Sequence, residues 1–274
     1  MTHKTCVSVR HAGKVYDAGR TNVVALQDVS FEIPAGKICV LVGPSGCGKT
    51  TLLNAVAGFD QLSSGEIILD GNLLASPQRL PTPGADRLVV FQNGALFPWK
   101  TVLWNVTCGP VMQGRASRQE AEVRAREFLA YVGLEGIESR YPNELSGGMK
   151  RRVEIIRALM NDPKVLLLDE PFRALDALTK SVVQQHLLKL HELVPKTIFF
   201  ITHDIEEAVF LADQVVVMTS RPGRIKELIT VDLERPRTYR TVTSYEFIQF
   251  ERRVREAIYD EAKMAFESGE RELA

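Results

Sequence analysis

The residues from Gly43 to Thr50 are the part of the chain whose types and spacing point most directly to chemistry. They match the pattern G-x-x-x-x-G-K-[ST]. Backbone N–H groups in such a loop converge on phosphate oxygens, while the Lys49 ammonium adds positive charge and the Thr50 hydroxyl can bind Mg²⁺. We therefore predict a phosphate-binding loop for a nucleoside triphosphate, with an ordinary glycine turn as the alternative. The predicted contacts to the nucleotide in this loop are Gly43, Pro44, Ser45, Gly46, Cys47, Gly48, Lys49, Thr50 and Thr51.

Two carboxylates follow an apolar run later in the chain. The run is Val165–Leu168, and Asp169 and Glu170 come directly after it. A nucleotide hydrolase needs one carboxylate to hold Mg²⁺, directly or through water, and another to polarise the attacking water. We assign Asp169 to the metal and Glu170 to the water. Taken alone, the pair is more typical of a simple strand end, but the phosphate loop makes catalysis the better interpretation.

A second glycine segment precedes these carboxylates. Ser146, Gly147 and Gly148 lie in Leu-Ser-Gly-Gly-Met, and residues 150–160 follow at helical spacing. The serine can cap that helix and leave backbone N–H groups free for another anion. The alternative is a loop that merely ends the previous segment.

The elements that must position these residues alternate along the chain. Continuous apolar runs of strand length are typical of buried parallel strands, and the segments between them have helical spacing. The predicted core strands are Ile38–Val42, Leu88–Phe91, Lys164–Leu168, Thr197–Ile201 and Gln214–Met218. The predicted helices are Lys49–Gly58, Leu175–Val194, Asp204–Ala212 and one capped near Ser244. Val7–Val9, Val24–Ile33 and Gly65–Leu69 read as further strands, and residues 96–141 as an inserted helical lobe.

Composition limits the classes of function. The chain has 274 residues, 34 Lys+Arg against 34 Asp+Glu, 45% hydrophobic and 25% charged residues. These values are typical of a globular protein and argue against a disordered chain or a disulfide scaffold. Zero net charge gives no reason to expect nucleic acid as a partner. No apolar run approaches the roughly 20 residues of a membrane-spanning helix, no signal peptide is evident, and the four cysteines are expected as free thiols.

The ordered motifs resemble the ATP-binding subunits of ABC transporters. The Leu-Ser-Gly-Gly-Met segment is similar to that family's signature LSGGQ, and three further motifs occur in family order: Gln92 after the Leu88–Phe91 strand, Ala174-Leu175-Asp176, and His203 after Ile201-Thr202. The resemblance implies an α/β fold: a P-loop NTPase (ABC ATPase) core with a mostly parallel sheet, an antiparallel β subdomain and an inserted helical lobe. It implies an ATPase domain over residues 1–235, with the lobe at about 95–160, and a C-terminal helical extension over 236–274.

The resemblance also implies roles for individual residues. ATP and Mg²⁺ would be the cofactors. Catalytic roles fall to Glu170, His203, Gln92 and Lys49, and metal contacts to Thr50, Gln92 and Asp169. Tyr16 is the candidate to stack on adenine, although an aromatic residue there is also typical of surface or packing positions. Ser146, Gly147, Gly148 and Asp176 would reach the nucleotide of an opposite subunit.

A homodimer docked on transmembrane permease subunits is the implied assembly. It would lie peripherally on the cytoplasmic face of the cell (inner) membrane and serve a periplasmic or extracellular solute-binding protein indirectly. The stretches Phe91-Gln92-Asn93, Leu96–Trp99 and Arg221–Arg224 look like the taurine, aliphatic sulfonate and nitrate importer branch. We expect an importer of taurine or a related sulfonate, with nitrate as a further candidate. Two other classes stay open: a non-transport ABC ATPase acting on nucleic acid, and a regulatory nucleotide-binding subunit.

Three departures from the family pattern stand out. Met149 replaces the usual glutamine of the signature, and Arg151 stands where glutamine is usual. Arg173 occupies a position where a small residue usually precedes Ala-Leu-Asp, and its bulk would let it contact that motif or a partner subunit.

The apolar segment Phe97-Pro98-Trp99 in the helical lobe has two interpretations. It would transmit the closure of the two ATPase subunits to the permease, or it would simply pack in the core of the lobe.

Overall fold

Two β-sheets and a set of helices make up the computed structural model, which describes residues 5–17, 19 and 22–267. The predicted segments 1–235 and 236–274 therefore each include an end, 1–4 or 268–274, outside the described residues. The strands within the described ranges are β1 Thr5–Asp17, β2 Asn22–Pro34, β3 Ile38–Val42, β4 Ser64–Leu69, β5 Asn72–Ala75, β6 Arg87–Val90, β7 Val165–Asp169, β8 Thr197–Ile201, β9 Gln214–Met218 and β10 Ile225–Thr230. The α-helices are α1 Lys49–Ala57, α2 Val102–Met112, α3 Arg118–Tyr131, α4 Gly147–Leu159, α5 Ala177–Leu193, α6 Ile205–Leu211 and α7 Tyr245–Glu267.

The larger sheet has the strand order β10-β9-β3-β8-β7-β6. Its neighbouring strands from β9 to β6 run parallel, and β10 adds an antiparallel edge. β3 and β8 are buried along their whole length, because each is a continuous apolar run covered on both faces. The mostly parallel sheet is confirmed, and the carboxyl ends of β3, β8, β7 and β6 lie at one edge.

The smaller sheet is antiparallel with the order β2-β1-β4-β5, as predicted for the β subdomain. β1 was predicted only over Val7–Val9, but its pairing with β2 continues to Asp17, with several register shifts. Polar residues and Gly13 interrupt the apolar pattern there, so hydrophobicity alone does not mark the strand. β5 and β10 were not predicted, because one is four residues long and the other is an edge strand rich in exposed polar side chains.

The helical lobe is formed by α2, α3 and α4, which pack against one another. Each is preceded by a capping hydroxyl, and the capping residues are Thr101, Ser117 and Ser146 respectively. The hydroxyl oxygen of each cap accepts a hydrogen bond from a backbone N–H in the first turn of its helix. The buried face of the lobe joins the main core through Val106, Leu129 and other apolar side chains.

The tail helix α7 packs on the main core. Ser244 Oγ accepts a hydrogen bond from Phe247 N (3.2 Å), which confirms the predicted cap. Phe247 and Val254 are fully buried, against α6 and β9. The apolar face of α7 therefore packs against the core of the protein. Within the described ranges, none of the helices combines the length and apolarity needed to cross a bilayer, and the cysteines there form no disulfide.

Candidate functional site

The predicted catalytic segments meet where four neighbouring strands end. The phosphate loop follows β3 and His203 follows β8. Asp169 ends β7 with Glu170 directly after it, and Gln92 follows β6. Backbone bonds join the segments: Thr202 N donates to Leu41 O (3.2 Å) and Glu170 N donates to Ile201 O (3.0 Å). The carboxyl edge of a parallel sheet is where open α/β folds bind ligands, and the structure brings the predicted residues together there.

Lys49 is held inside the phosphate loop. Its side chain is buried, and its ammonium donates to Gly43 O and Pro44 O, both at 2.8 Å. These partners are neutral carbonyls, so the positive charge is not cancelled within the loop. A buried cation whose hydrogen-bond partners are neutral favours an anionic ligand.

The loop approaches β2 so closely that glycine is required at one position. Gly48 has φ +97°, and a Cβ there would lie 2.8 Å from Ala25 O. The neighbouring Cys47 thiol is buried, and burial raises its pKa. Thr50 is exposed in the first turn of α1, beside Thr51.

The two carboxylates at the end of β7 differ in their surroundings. Burial raises the pKa of Asp169 and the negative charge of Glu170 adds to this, while Lys49 acts in the opposite direction. Glu170 has φ +41°, an unusual backbone conformation for a residue with a side chain. Such strain is common at functional sites.

One carboxylate oxygen of Glu170 is contacted by two side chains, an imidazole and a guanidinium. Its Oε2 lies 3.3 Å from His203 Nδ1 and 3.3 Å from Arg173 Nη1. His203 was predicted near this position, and the contact supports that placement. For Arg173 we expected a contact with the Ala-Leu-Asp motif or a partner subunit, and the contact with Glu170 was missed.

Tyr16 lies beside the first turn of α1. Its hydroxyl donates to Asp60 Oδ2 (2.5 Å) and lies 3.4 Å from Thr51 Oγ1, while Lys14 Nζ is 4.8 Å from the ring centroid. Burial and the Asp60 contact raise the pKa of Tyr16. Nothing in the sequence marks Asp60 or Lys14 as partners of Tyr16, because neither belongs to a recognisable motif.

Ser146, Gly147 and Gly148 start α4 on the helical lobe. Ser146 Oγ accepts from Met149 N (3.3 Å), and a Cβ on Gly148 would collide with Thr179 of α5. Their contacts in the described residues are thus with α4 and α5 and not with the phosphate loop.

Asp176 lies at the start of α5, close to this segment. Its carboxylate accepts from Thr179 N (3.0 Å), and hydrogen bonding to Thr179 lowers its pKa. The predicted residues therefore form two groups: the strand-end group around Lys49 and Glu170, and a second group where α4 and α5 begin.

Gln92 has an exposed side chain just beyond β6. Its main-chain oxygen accepts a 2.7 Å hydrogen bond from Arg151 Nη2. Arg151 was noted only as a departure from the family pattern, and its contact with this loop was not predicted.

Comparison with known proteins identifies the family. Residues 26–173 match the family model described as ABC transporter. An uncharacterised ABC transporter ATP-binding protein of Methanocaldococcus jannaschii is 45% identical, covering 94% of this chain and 93% of that protein. A taurine import ATP-binding protein of Rhizobium johnstonii is 49% identical (84% and 85%), and a nitrate import ATP-binding protein of a Synechocystis strain is 44% identical (89% and 91%).

Solved structures agree with this result. A dimeric ATP-binding cassette in a post-hydrolysis state, bound to ADP and phosphate, superimposes with a TM-score of 0.69 at 30% identity, covering 83% of this chain and all of that one. The strand-end group, the family model and these relatives lead to one conclusion: the chain belongs to the ABC transporter family, as one of its ATP-binding, ATP-hydrolysing subunits.

Proposed function

We propose that this chain is the energy-coupling ATPase of an importer for a small anion, and that the residues named above carry out its reaction. The observation that carries the proposal is the convergence of the phosphate loop, Glu170 and His203 at neighbouring strand ends. The alternative of a regulatory nucleotide-binding subunit lacks support from this arrangement, since a base beside a phosphate loop is what hydrolysis requires.

In the proposed reaction, Lys49 binds the β- and γ-phosphates and Glu170 accepts a proton from the attacking water. His203 contacts Glu170 and would orient it toward the γ-phosphate. Tyr16, a half-exposed residue of β1 beside the first turn of α1, would stack on the adenine. Binding through the loop holds the phosphates in place, so that the water activated by Glu170 lies close to the γ-phosphate.

The residues present fit Mg²⁺. Thr50, Gln92 and Asp169 offer hydroxyl, amide and carboxylate oxygens, which are the ligands that Mg²⁺ prefers. The Asp169 carboxylate is part-buried with Lys49 near enough to affect its pKa. Bound at these residues, Mg²⁺ would neutralise charge on the phosphate oxygens.

The second group of residues fits a head-to-tail homodimer. Ser146 and Gly147 are exposed at the start of α4, with Gly148 buried directly behind them, and the N–H groups of a helix start favour an anion. Each ATP would lie between the phosphate loop of one subunit and this segment of the other, with Asp176 nearby. The structurally similar cassette is itself dimeric, which supports the proposal.

A surface on the helical lobe fits a membrane-spanning partner. The rings of Phe97 and Trp99 contact each other (5.8 Å), as do those of Phe97 and Trp104 (5.5 Å), yet Trp99 is 68% exposed. A cavity of about 230 Å³ opens beside them, lined by Phe91, Ala95, Phe97, Cys108 and Arg157 among others. We infer that a permease docks here, which would place the chain peripherally on the cytoplasmic face of the membrane.

Taurine or a related sulfonate is the solute that we propose, with nitrate as the second candidate. Support comes from the named functions of relatives at 49% and 44% identity. The solute would be selected by the permease and by a periplasmic or extracellular solute-binding protein.

We also propose that the chain divides into an ATPase domain at residues 1–235 and a helical extension at residues 236–274.

Copurification tests the proposed partner. Tagged full-length chain, extracted with mild detergent from native membranes, is expected to bring down an integral membrane protein, and Trp99→Asp is expected to reduce that yield several-fold. Tyr239→Asp is the control, because Tyr239 is equally exposed (64%) outside the lobe. Recovery of nucleic acid in place of a membrane protein would contradict the proposal and favour a non-transport ATPase.

Arg173→Ala is expected to raise turnover. Arg173 Nη1 occupies the same carboxylate oxygen, Glu170 Oε2, that must accept a proton from water. An exposed ion pair of this kind is worth about 0.2–1 kcal/mol, so the gain in kcat should be at most about fivefold, with the KM for ATP unchanged. Arg118→Ala is the matched control, because it breaks an exposed ion pair with Glu122 on α3. A fall in kcat would show that Arg173 orients Glu170 and does not restrain it.

A further inference from the structure

Three charged side chains on one face of helix α4 bind the loop that contains Gln92. They are Arg151, Glu154 and Arg157, spaced three residues apart so that each lies close to the next. We call residues 91–97 the glutamine loop. All three side chains contact it, although it lies about sixty residues earlier in the chain.

Arg151 makes the contacts at the first end of the loop. Its Nη1 donates to Phe91 O (2.8 Å) and its Nη2 donates to Gln92 O (2.7 Å). Nη1 also lies 2.7 Å from Glu154 Oε2, and the two side chains are only 8% and 7% exposed. The fork geometry of a guanidinium allows all three bonds at once, which an ammonium could not reproduce.

Glu154 and Arg157 hold the other end. Ala95 N donates to Glu154 Oε1 (2.9 Å), and Arg157 Nη1 donates to Ala95 O (2.8 Å). The Arg157 guanidinium also lies 5.2 Å from the ring centroid of Phe97. Gly94 lies so close to the helix that a Cβ on it would lie 2.8 Å from Glu154 Oε1. The backbone of the loop is therefore fixed to α4 at Phe91, Gln92 and Ala95, while the backbone of Phe97 is held by Asn105 of α2.

The same helix begins at Ser146. Arg151 comes five positions after Ser146, which is about 7.5 Å along a helix axis. Under the function proposed above, on which this inference rests, Ser146 would face the ATP bound to the other subunit and Gln92 the ATP of its own subunit. One rigid element thus connects the two sites.

We propose that Arg151, paired with Glu154, is a positioning residue that fixes the glutamine loop to α4, so that Gln92 reaches the nucleotide only as α4 closes on the second subunit. The buried pair transmits the movement of Ser146 to Gln92. Loss of the pair leaves the phosphate loop intact but separates Gln92 from the motion of the helix.

The double variant Arg151→Met/Glu154→Leu tests this role in the full-length protein. Exchange of a buried ion pair for apolar side chains of similar size commonly preserves stability, whereas a single exchange leaves one buried charge unpaired. We expect kcat to fall about 10- to 100-fold, as misplacement of a reacting group does, with a KM for ATP within about twofold of wild type. Hydrogen exchange should become faster in residues 91–97 and stay unchanged in α2 and α3.

Two further variants separate positioning from general stability. Arg151→Lys keeps the positive charge but loses the planar arrangement of guanidinium N–H donors, so its kcat should lie between those of the wild type and the double variant. Arg126→Met/Glu122→Leu removes an ion pair on α3 of the same lobe that does not contact the loop, and should match wild type.

The outcomes that overturn the inference are distinct. A wild-type kcat in the double variant, or faster exchange spread over α2, α3 and the loop alike, would show that the pair has no positioning role. If the wild-type chain itself hydrolysed no ATP, the proposed function would fail first and the inference with it. Wild-type turnover that is lost in Glu170→Gln but unaffected in the double variant would reject the inference alone.

Discussion

Glu170→Gln is expected to lower ATP turnover by about 10²- to 10⁴-fold, the usual contribution of a general base. Glutamine keeps the size of the side chain and can still accept a hydrogen bond, but it cannot take a proton from water. The phosphate loop is unaffected, so ATP binding should persist. Steady-state phosphate release and equilibrium ATP binding, measured on the same preparation, check both parts of this expectation.

The control for Glu170→Gln is the same exchange at an exposed glutamate nearby. Glu206 lies on the outer side of α6, three residues after His203. Glu206→Gln should leave turnover at the wild-type level. Normal turnover in Glu170→Gln itself would show that Glu170 is not the general base.

Lys49→Ala has the second largest expected effect. Its ammonium is the buried cation of the phosphate loop, and a hydrogen bond to a charged group is worth about 1.5–3 kcal/mol. Loss of one such bond to phosphate weakens ATP binding about 10- to 100-fold. We expect turnover to be lost as well, since weak binding no longer holds the γ-phosphate in place.

Lys189→Ala is the control for this variant, because Lys189 is exposed on α5, outside the phosphate loop. A thermal unfolding curve of Lys49→Ala separates loss of binding from loss of fold. Unchanged ATP affinity in a folded Lys49→Ala protein would contradict the role given to the loop.

The core strands were predicted to within one residue at each end. β3, β8 and β9 begin and end at the predicted residues, whereas β6 and β7 are shifted by one residue. Burial on both faces gives these strands largely apolar runs, which mark them clearly in the sequence. The convergence of the phosphate loop, Glu170 and His203 was also predictable, since the ends of parallel strands meet at one edge of the sheet.

Contacts between distant side chains were not predictable. The bond from Tyr16 to Asp60 and the bonds from Arg151 to the glutamine loop join residues far apart in the chain. Hydrophobic periodicity carries no information about such pairs. The positive φ of Glu170 was equally unpredictable, because a non-glycine residue does not signal this backbone conformation.

The edges of the sheets also escaped prediction. β10 places exposed polar residues between its apolar ones, and the second half of β1 pairs through register shifts. Pairing with a neighbouring strand determines that these segments form β-strands, whereas their own composition does not indicate it.

Sedimentation velocity of the Glu170→Gln protein with MgATP tests the central claim most directly, because two subunits must close around ATP for Ser146 to meet the nucleotide. We predict a dimer with MgATP and a monomer without it. Adding Ser146→Arg to the same protein should leave it monomeric with MgATP, provided that its unfolding temperature is maintained. A monomer in the first case, or an equally stable dimer in the second, would contradict the head-to-tail arrangement.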